Sequence, residues 1–217
     1  MVEIMWSDII KPKSNDFSVR KHTNENLFKN FSTIDNNNPE QIMEAFYKEI
    51  IINNKQKIKR ISLNTLQELK EKWITTEMFL DYLCQTHGIL LHWSTNEIEL
   101  NKLKSRKNKI FATNKASIAI LKSIYSNKGV SLEYPYEIAK NKPFILKIHT
   151  PQNWSFISKE KWFIFCIKKD NSFKKNPNIP WEFIKESEDT EFSVIIETEK
   201  SDFKYPVEVI RDYNPKR

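Results

Sequence analysis

Glycine is scarce in this 217-residue chain, and its scarcity excludes two nucleotide-binding motifs. Only two glycines are present, whereas average protein usage of about 7% would supply roughly 15. The glycine-rich dinucleotide fingerprint and the P-loop each need several glycines in one short loop, where the backbone approaches a phosphate closely. We therefore expect neither motif.

Cysteines and long apolar runs are also few. The two cysteines, Cys84 and Cys166, cannot build a disulfide scaffold or a Cys-rich zinc site. The four histidines lack the i, i+4 spacing of a helical zinc motif, so we expect no metal site. No apolar run approaches the roughly 18 residues of a membrane span. Glu3 and Asp8 do not fit a signal peptide, and we expect a cytoplasmic protein without a membrane span.

Acidic residues are absent from one stretch of a chain whose net charge is +7. Residues 101–128 carry eight basic residues and no acidic ones: Lys102, Lys104, Arg106, Lys107, Lys109, Lys115, Lys122 and Lys128. Such a cluster favours the phosphates of a nucleotide, a nucleic acid or an anionic membrane. A solvated lysine-rich surface is the alternative interpretation, because only five of the 35 basic residues are arginine.

The first 88 residues carry the periodicity of helices. Asn38 and Pro39 predict the start of a helix whose apolar positions recur on one face. A second helix is predicted over 63–72. Thr75 can cap a third helix, and Gly88 suits the left-handed position that ends it.

After Gly88 the pattern changes to short apolar runs typical of strands. We predict strands over 89–92, 109–112, 144–148, 162–167, 192–196 and 205–210. One helix, capped by Asn114 and running to about Ser126, interrupts them. Hydrophobic residues make up 39% of the chain and aromatic residues 12%, which is enough for a packed core. The sequence thus predicts an α+β protein with a helical N-terminal segment, 1–88, and an antiparallel α+β domain, 89–217.

Two motifs in the second part follow the order found in a known superfamily. The segment 90–95, LLHWST, is followed about 16 residues later by 109–113, KIFAT, and then by a helix rich in Ala and Ile. This order resembles the ADP-ribosyltransferase-like superfamily, in the branch with diphtheria toxin, the poly-ADP-ribose polymerases and the RNA 2′-phosphotransferases. The resemblance covers roughly residues 89–210 and implies an antiparallel split-sheet domain.

The resemblance implies roles in binding NAD for residues near the strand ends. His92 would hydrogen-bond a ribose hydroxyl, and the backbone groups of Trp93 would hold the nicotinamide carboxamide. Trp93 occupies a position that is usually glycine in the family, where glycine permits close approach of the ligand. Ser94 would brace the strand end. Phe111 is either a core aromatic or a stacking surface for nicotinamide or a base.

The resemblance also implies a catalytic glutamate on a later strand. That carboxylate would stabilise the positive charge that develops on the ribose as the nicotinamide bond breaks. The best match is Glu182, because its aromatic neighbours would restrict its solvation and fix its rotamer. Glu191, Glu197 and Glu208 are alternatives. Glu208 alternates with two valines, so we expect it to face water.

The implied function is transfer of ADP-ribose from NAD, as substrate, to a protein or nucleic-acid target. The chain would be a toxin or effector with an antitoxin or immunity partner. Trp93 favours an alternative, a non-catalytic nucleic-acid- or protein-binding module on the same fold. A third interpretation is an RNA 2′-phosphotransferase-like enzyme. That family uses several arginines for phosphate, whereas Arg106 is the only arginine between residues 61 and 210.

Overall fold

The computed structural model describes most of the chain beyond residue 37. The described residues are 38–94, 98, 102–105, 108–125, 131–133, 146–152 and 159–211. All of them belong to one compact unit, Ile34–Arg217.

Four α-helices occur in these ranges. They are α1 (Pro39–Tyr47), which continues into a π-helical turn (Lys48–Ile52), α2 (Leu63–Lys70), α3 (Thr76–Thr86) and α4 (Ala116–Tyr125). The predicted caps of α1 and α3 are confirmed. Asn38 Oδ1 accepts from the Glu40 N–H at 3.1 Å, and Thr75 Oγ1 accepts from the Met78 N–H at 3.2 Å. None of the described helices combines the length and the apolar character needed to cross a bilayer.

The sequence predicts the end of α3 correctly, but it does not predict how α4 is capped. Gly88 follows α3 with a φ of +63°, the left-handed conformation expected of it. Asn114 does not cap α4, because its side-chain oxygen is buried without a hydrogen-bond partner among the described residues. Asp81 of α3 instead accepts from the Ala116 N–H at 2.9 Å. The helix start is therefore satisfied by a neighbouring helix, which local sequence does not reveal.

Twelve strands are present in the described residues, and seven of them form the main sheet. They are β1 (Lys59–Ile61), β2 (Ile89–Ser94), β3 (Lys102–Lys104), β4 (Lys109–Thr113), β5 (Ser131–Glu133), β6 (Leu146–His149), β7 (Trp162–Lys168), β8 (Lys174–Lys175), β9 (Glu182–Glu186), β10 (Asp189–Glu191), β11 (Val194–Thr198) and β12 (Val207–Ile210). The main sheet has the order β1-β11-β7-β2-β4-β9-β8. Only its β1–β11 pair is parallel. The predicted α+β class with a largely antiparallel sheet is thereby confirmed.

One strand of the main sheet comes from the segment predicted to be helical. Strand β1 pairs with residues 194–196 of β11. It has three residues, two of them charged, and so it is too short to show a strand period. The helices α2 and α3 of the same segment pack on β11 and β2. The division of the chain into 1–88 and 89–217 stays a prediction.

The two faces of the main sheet are packed differently. Helix α4 packs against β2, β4 and β7 on one face, which we call the helix face. The opposite face carries an apolar cluster and is called the cluster face. That cluster contains Leu90, Leu103, Ile110, Ala112, Phe163, Phe165, Ile167, Phe173, Phe183, Phe192 and Ile195. Because side chains alternate along a strand, each strand residue is assigned to one face by its register.

Candidate functional site

The strands β2 and β4 diverge where the resemblance places its motifs. They are antiparallel neighbours, but they pair at a single position, Leu91 with Thr113. Beyond this position the two strands are linked by a side chain: Nδ1 of His92 lies 2.7 Å from the Phe111 carbonyl oxygen. The structure thus brings His92 together with the backbone of Phe111.

The surroundings of His92 favour a neutral imidazole in one tautomer. A carbonyl oxygen can only accept, so Nδ1 carries the proton that it donates to Phe111, and Nε2 is left as an acceptor. No described residue hydrogen-bonds that Nε2. Burial lowers the pKa of His92, and the bond to the Phe111 carbonyl offsets only part of this effect. At neutral pH the side chain therefore presents a hydrogen-bond acceptor.

Trp93 packs on the helix face under a cation. The Lys122 ammonium of α4 lies 4.4 Å from the centre of the indole ring. The rings of Trp93 and His92 are nearly parallel, at 18°, with centroids 5.5 Å apart. The indole is half-buried, so the Trp93 side chain is part of the packed structure.

Glu182 joins the same cluster as Trp93. One of its oxygens lies 3.7 Å from the Lys122 ammonium, and the other accepts from the Asn176 amide at 2.7 Å. Burial lowers the pKa of Lys122, and the Glu182 carboxylate offsets only part of this effect. The sequence analysis names only Trp93 and Glu182 of this cluster as site residues. Lys122 has no signal in the sequence beyond its place in the basic stretch, and Asn176 has none.

The register places Glu182 and His92 on opposite faces of the main sheet. Glu182 lies opposite Thr113, and Thr113 lies opposite Leu91. Glu182 therefore shares the helix face with Leu91 and Trp93. His92 lies opposite Phe165, which belongs to the apolar cluster, and so it faces the other side. The described polar contacts of the Glu182 side chain are with Lys122 and Asn176, and none of them is with the imidazole.

Glu197 is the buried glutamate on the face of His92. It lies opposite Phe163, which in turn lies opposite Ser94, so two strand spacings, about 10 Å, separate Glu197 from β2. Lys161 and Arg60 bond its Oε1 at 2.8 and 3.1 Å. Burial raises the pKa of Glu197, but these cations and the Leu63 N–H together hold it below its ordinary value.

The remaining candidate residues belong neither to the group formed by Trp93, Lys122 and Glu182 nor to the ion pairs of Glu197. Glu191 is exposed on β10, which pairs with β3 outside the main sheet. Glu208 is exposed on β12, as expected, but Val209 beside it is also exposed, so burial does not alternate along this strand. Burial raises the pKa of the Cys84 thiol to about 12, which leaves it protonated and a weak nucleophile. Within the described ranges, no group of three or more potential ligands could hold a metal ion.

The basic stretch is partly neutralised by ion pairs. Lys102 lies 3.3 Å from Asp189, and Lys122 pairs with Glu182. Lys104, Lys109 and Lys115 are exposed. Arg106, Lys107 and Lys128 lie outside the described residues. The described part of the stretch therefore leaves three lysines for an anionic partner.

Comparison with known proteins adds no relative. No family model, no curated protein and no solved structure matches the chain.

Proposed function

We propose that the chain is an ADP-ribosyltransferase-like enzyme, which transfers ADP-ribose from NAD to a macromolecular target. The observation that carries the proposal is the divergence of β2 and β4 at His92. An antiparallel sheet that opens between two adjacent strands, with a histidine at the opening, supports the split-sheet domain that the sequence motifs imply. The proposal includes a protein or nucleic acid as the target and, for a toxin or effector, an antitoxin or immunity protein as the partner.

His92 has the chemistry needed at the ribose end of NAD. Its Nδ1–H is bound by the Phe111 carbonyl, so the ring has one tautomer, and Nε2 accepts a hydrogen bond from a sugar hydroxyl. Burial keeps the ring neutral, which preserves that acceptor. A fixed acceptor orients the ribose before reaction, because its position costs no further reorganisation.

Two glutamates are candidates for stabilising positive charge on the ribose. Glu182 is the glutamate that the sequence motif favours, and it pairs with Lys122 beside Trp93. Glu197 shares the face of His92 and Ser94, with Arg60 and Lys161 around it. A carboxylate opposes developing positive charge only from the side on which the ribose lies. We therefore propose both for mutation, each as its glutamine variant.

The test is an NAD turnover assay on purified protein, with nicotinamide release and labelling of lysate macromolecules by isotope-labelled NAD as readouts. His92→Asn keeps an amide donor for the Phe111 carbonyl but removes the Nε2 acceptor, and it should lower turnover by about 100-fold or more. Glu182→Gln, or Glu197→Gln, should lower turnover by as much while NAD binding remains. Wild-type protein that neither binds NAD nor releases nicotinamide would contradict the enzyme proposal.

Two controls separate chemistry from folding. Glu186→Gln changes an exposed glutamate of the same strand as Glu182 and should leave turnover unchanged. Glu182→Gln leaves Lys122 buried without its partner, so the double variant Lys122→Met/Glu182→Gln is measured beside it. Loss of turnover in both, with native circular dichroism, assigns the effect to the carboxylate. Full activity in both would exclude Glu182.

A non-catalytic binding module is the second candidate function. The Trp93 ring lies under Lys122, which also contacts Glu182, so side chains fill the position that is glycine in the family. Trp93→Gly distinguishes the two candidates. The variant should gain NAD affinity if the indole blocks a nicotinamide site, whereas a binding module should show no NAD affinity with either residue.

A further inference from the structure

A concave site lies at the other end of β2 from His92. It is a pocket of about 330 Å³ between the π-helical turn and the main sheet, and we call it the π-turn pocket. Ile89, Cys166 and Val194 line its sheet side, and Ile51, Ile52 and Leu83 line its helical side. The pocket and the divergence at His92 lie at different ends of the strand, so they form separate sites.

The sheet side of the π-turn pocket combines an apolar surface with two lysines. Val194 lies opposite both Cys166 and Lys59, so these three residues form one row across β7, β11 and β1. Lys168 is two residues beyond Cys166 and lies opposite Ile89. Because strand side chains alternate, both lysines emerge on the same face as the apolar surface.

These two lysines differ from several other lysines of the fold in having no carboxylate partner among the described residues. Lys70, Lys122 and Lys161 each lie within 4.0 Å of a carboxylate. Lys59 and Lys168 form no ion pair with any described residue. The pocket therefore has two cations that no carboxylate of the described residues pairs with.

The helical side of the pocket includes an apolar residue that the described part of the chain leaves exposed. Ile52 is 59% exposed although it lines the pocket. The adjoining π-helical turn is a rare element that is frequent at functional sites. Tyr47 and His87 also line the pocket; their rings stack with centroids 3.6 Å apart, and the Glu44 carboxylate lies 3.0 Å from the His87 Nε2.

We propose that the π-turn pocket binds a medium-chain fatty acid in its carboxylate form. The alkyl chain contacts the isoleucines and Val194, and the carboxylate pairs with the Lys59 and Lys168 ammonium groups. The volume is at the low end of the roughly 300–1,000 Å³ of small-molecule sites, which favours a short chain. Charge complementarity excludes a cationic amphiphile.

The test is isothermal titration calorimetry of the full chain with decanoate below its micelle concentration. Wild type should bind one decanoate saturably, and decyltrimethylammonium should not bind. Lys59→Gln/Lys168→Gln should weaken binding by about 10-fold or more, because two charge-assisted contacts are removed. Ile52→Asp should also weaken it, and this exposed position leaves the fold intact.

Two controls make the outcome decisive. Lys174→Gln/Lys175→Gln removes the same charge from exposed lysines of β8 and should bind decanoate like wild type. His92→Asn should also bind normally, because the two sites are separate. Absence of saturable binding, equal binding of decyltrimethylammonium, or an equal loss in the β8 variant would overturn the proposal.

Discussion

At the scale of single residues, His92 loses hydration without gaining a charged partner. Its described contacts are the Phe111 carbonyl and the rings of Trp93 and Phe165. None of these contacts stabilises an imidazolium as well as water does, so burial dominates. The consequence is a histidine that accepts hydrogen bonds at neutral pH and resists protonation.

This residue makes folding stability depend on pH with a definite sign. Unfolded His92 protonates near its ordinary pKa of 6.5, whereas the folded residue protonates only at lower pH. Between these values the unfolded state binds more protons, so stability falls as pH falls below about 6.5. Urea unfolding from about pH 7 to pH 5 should show a steeper loss for wild type than for His92→Asn. Identical slopes would contradict the burial effect.

Trp93 provides the second prediction at this scale. Trp93→Gly removes a half-buried indole and its contact with Lys122, and it places glycine within a strand. We expect a loss of about 2–3 kcal/mol in the free energy of unfolding, measured by urea denaturation. Trp93→Phe keeps an aromatic ring beneath the ammonium and should lose less than half of that amount. An unchanged stability of Trp93→Gly would indicate that the indole is not packed.

At the scale of elements, one buried carboxylate connects α2, α3 and the 3₁₀ turn Lys200–Asp202. Asp202 Oδ1 accepts from the Thr76 hydroxyl at 2.7 Å and lies 2.9 Å from the Lys70 ammonium. Its other oxygen accepts from the Glu199 N–H at 2.9 Å. Burial lowers the pKa of Lys70, but the Asp202 and Glu199 carboxylates raise it above its ordinary value. One side chain thereby joins the 3₁₀ turn to two helices that are distant from it in sequence.

Asp202→Ala should therefore destabilise the fold strongly. It leaves the buried Thr76 hydroxyl without its acceptor and Lys70 with Glu199 as its remaining carboxylate partner, at a cost of about 3 kcal/mol. Asp202→Asn keeps two acceptor contacts but no charge, and it should lose an intermediate amount. Glu188→Ala, at an exposed position, serves as the control. Thermal and urea unfolding measure all three, and an Asp202→Ala variant as stable as the control would be inconsistent with the network.

At the scale of the whole molecule, the charge is concentrated rather than uniform. The stretch 101–128 carries eight basic residues, but the fold pairs Lys102 and Lys122 with carboxylates from β10 and β9. Within the described part of this stretch, the lysines left for a polyanion are Lys104, Lys109 and Lys115. Affinity for nucleic acid would therefore depend on fewer charges than the sequence suggests.

A gel-shift series across salt concentrations tests this charge distribution. For double-stranded DNA, each phosphate contact that is lost lowers the slope of log affinity against log salt by about one. We expect Lys104→Glu/Lys109→Glu to lower that slope by about two. Lys174→Glu/Lys175→Glu, with the same charge change on β8, should leave the slope nearer to wild type. Equal binding by wild type and both variants would identify the stretch as a solvated surface.

Local features of this protein follow from its sequence alone. The caps Asn38 and Thr75, the left-handed Gly88 and the six predicted strands depend on neighbours within a few residues, and each has a counterpart in the structure. The α+β class follows from the change of periodicity after Gly88. His92 contacts the Phe111 backbone, but the pairing register places the Phe111 side chain on the helix face with Thr113, so the role of Phe111 stays a prediction.

Only the tertiary structure decided which side chains share a face of the sheet. Strand order depends on contacts between distant segments, so β1 joins β11 without a local signal. The pairing register puts Glu182 beside Lys122 and Glu197 on the face of His92. Because a shift of one residue would exchange the two faces, sequence spacing cannot tell which glutamate shares a face with His92. The Asp81 cap of α4 and the π-turn pocket likewise arise from packing between elements that the sequence keeps apart.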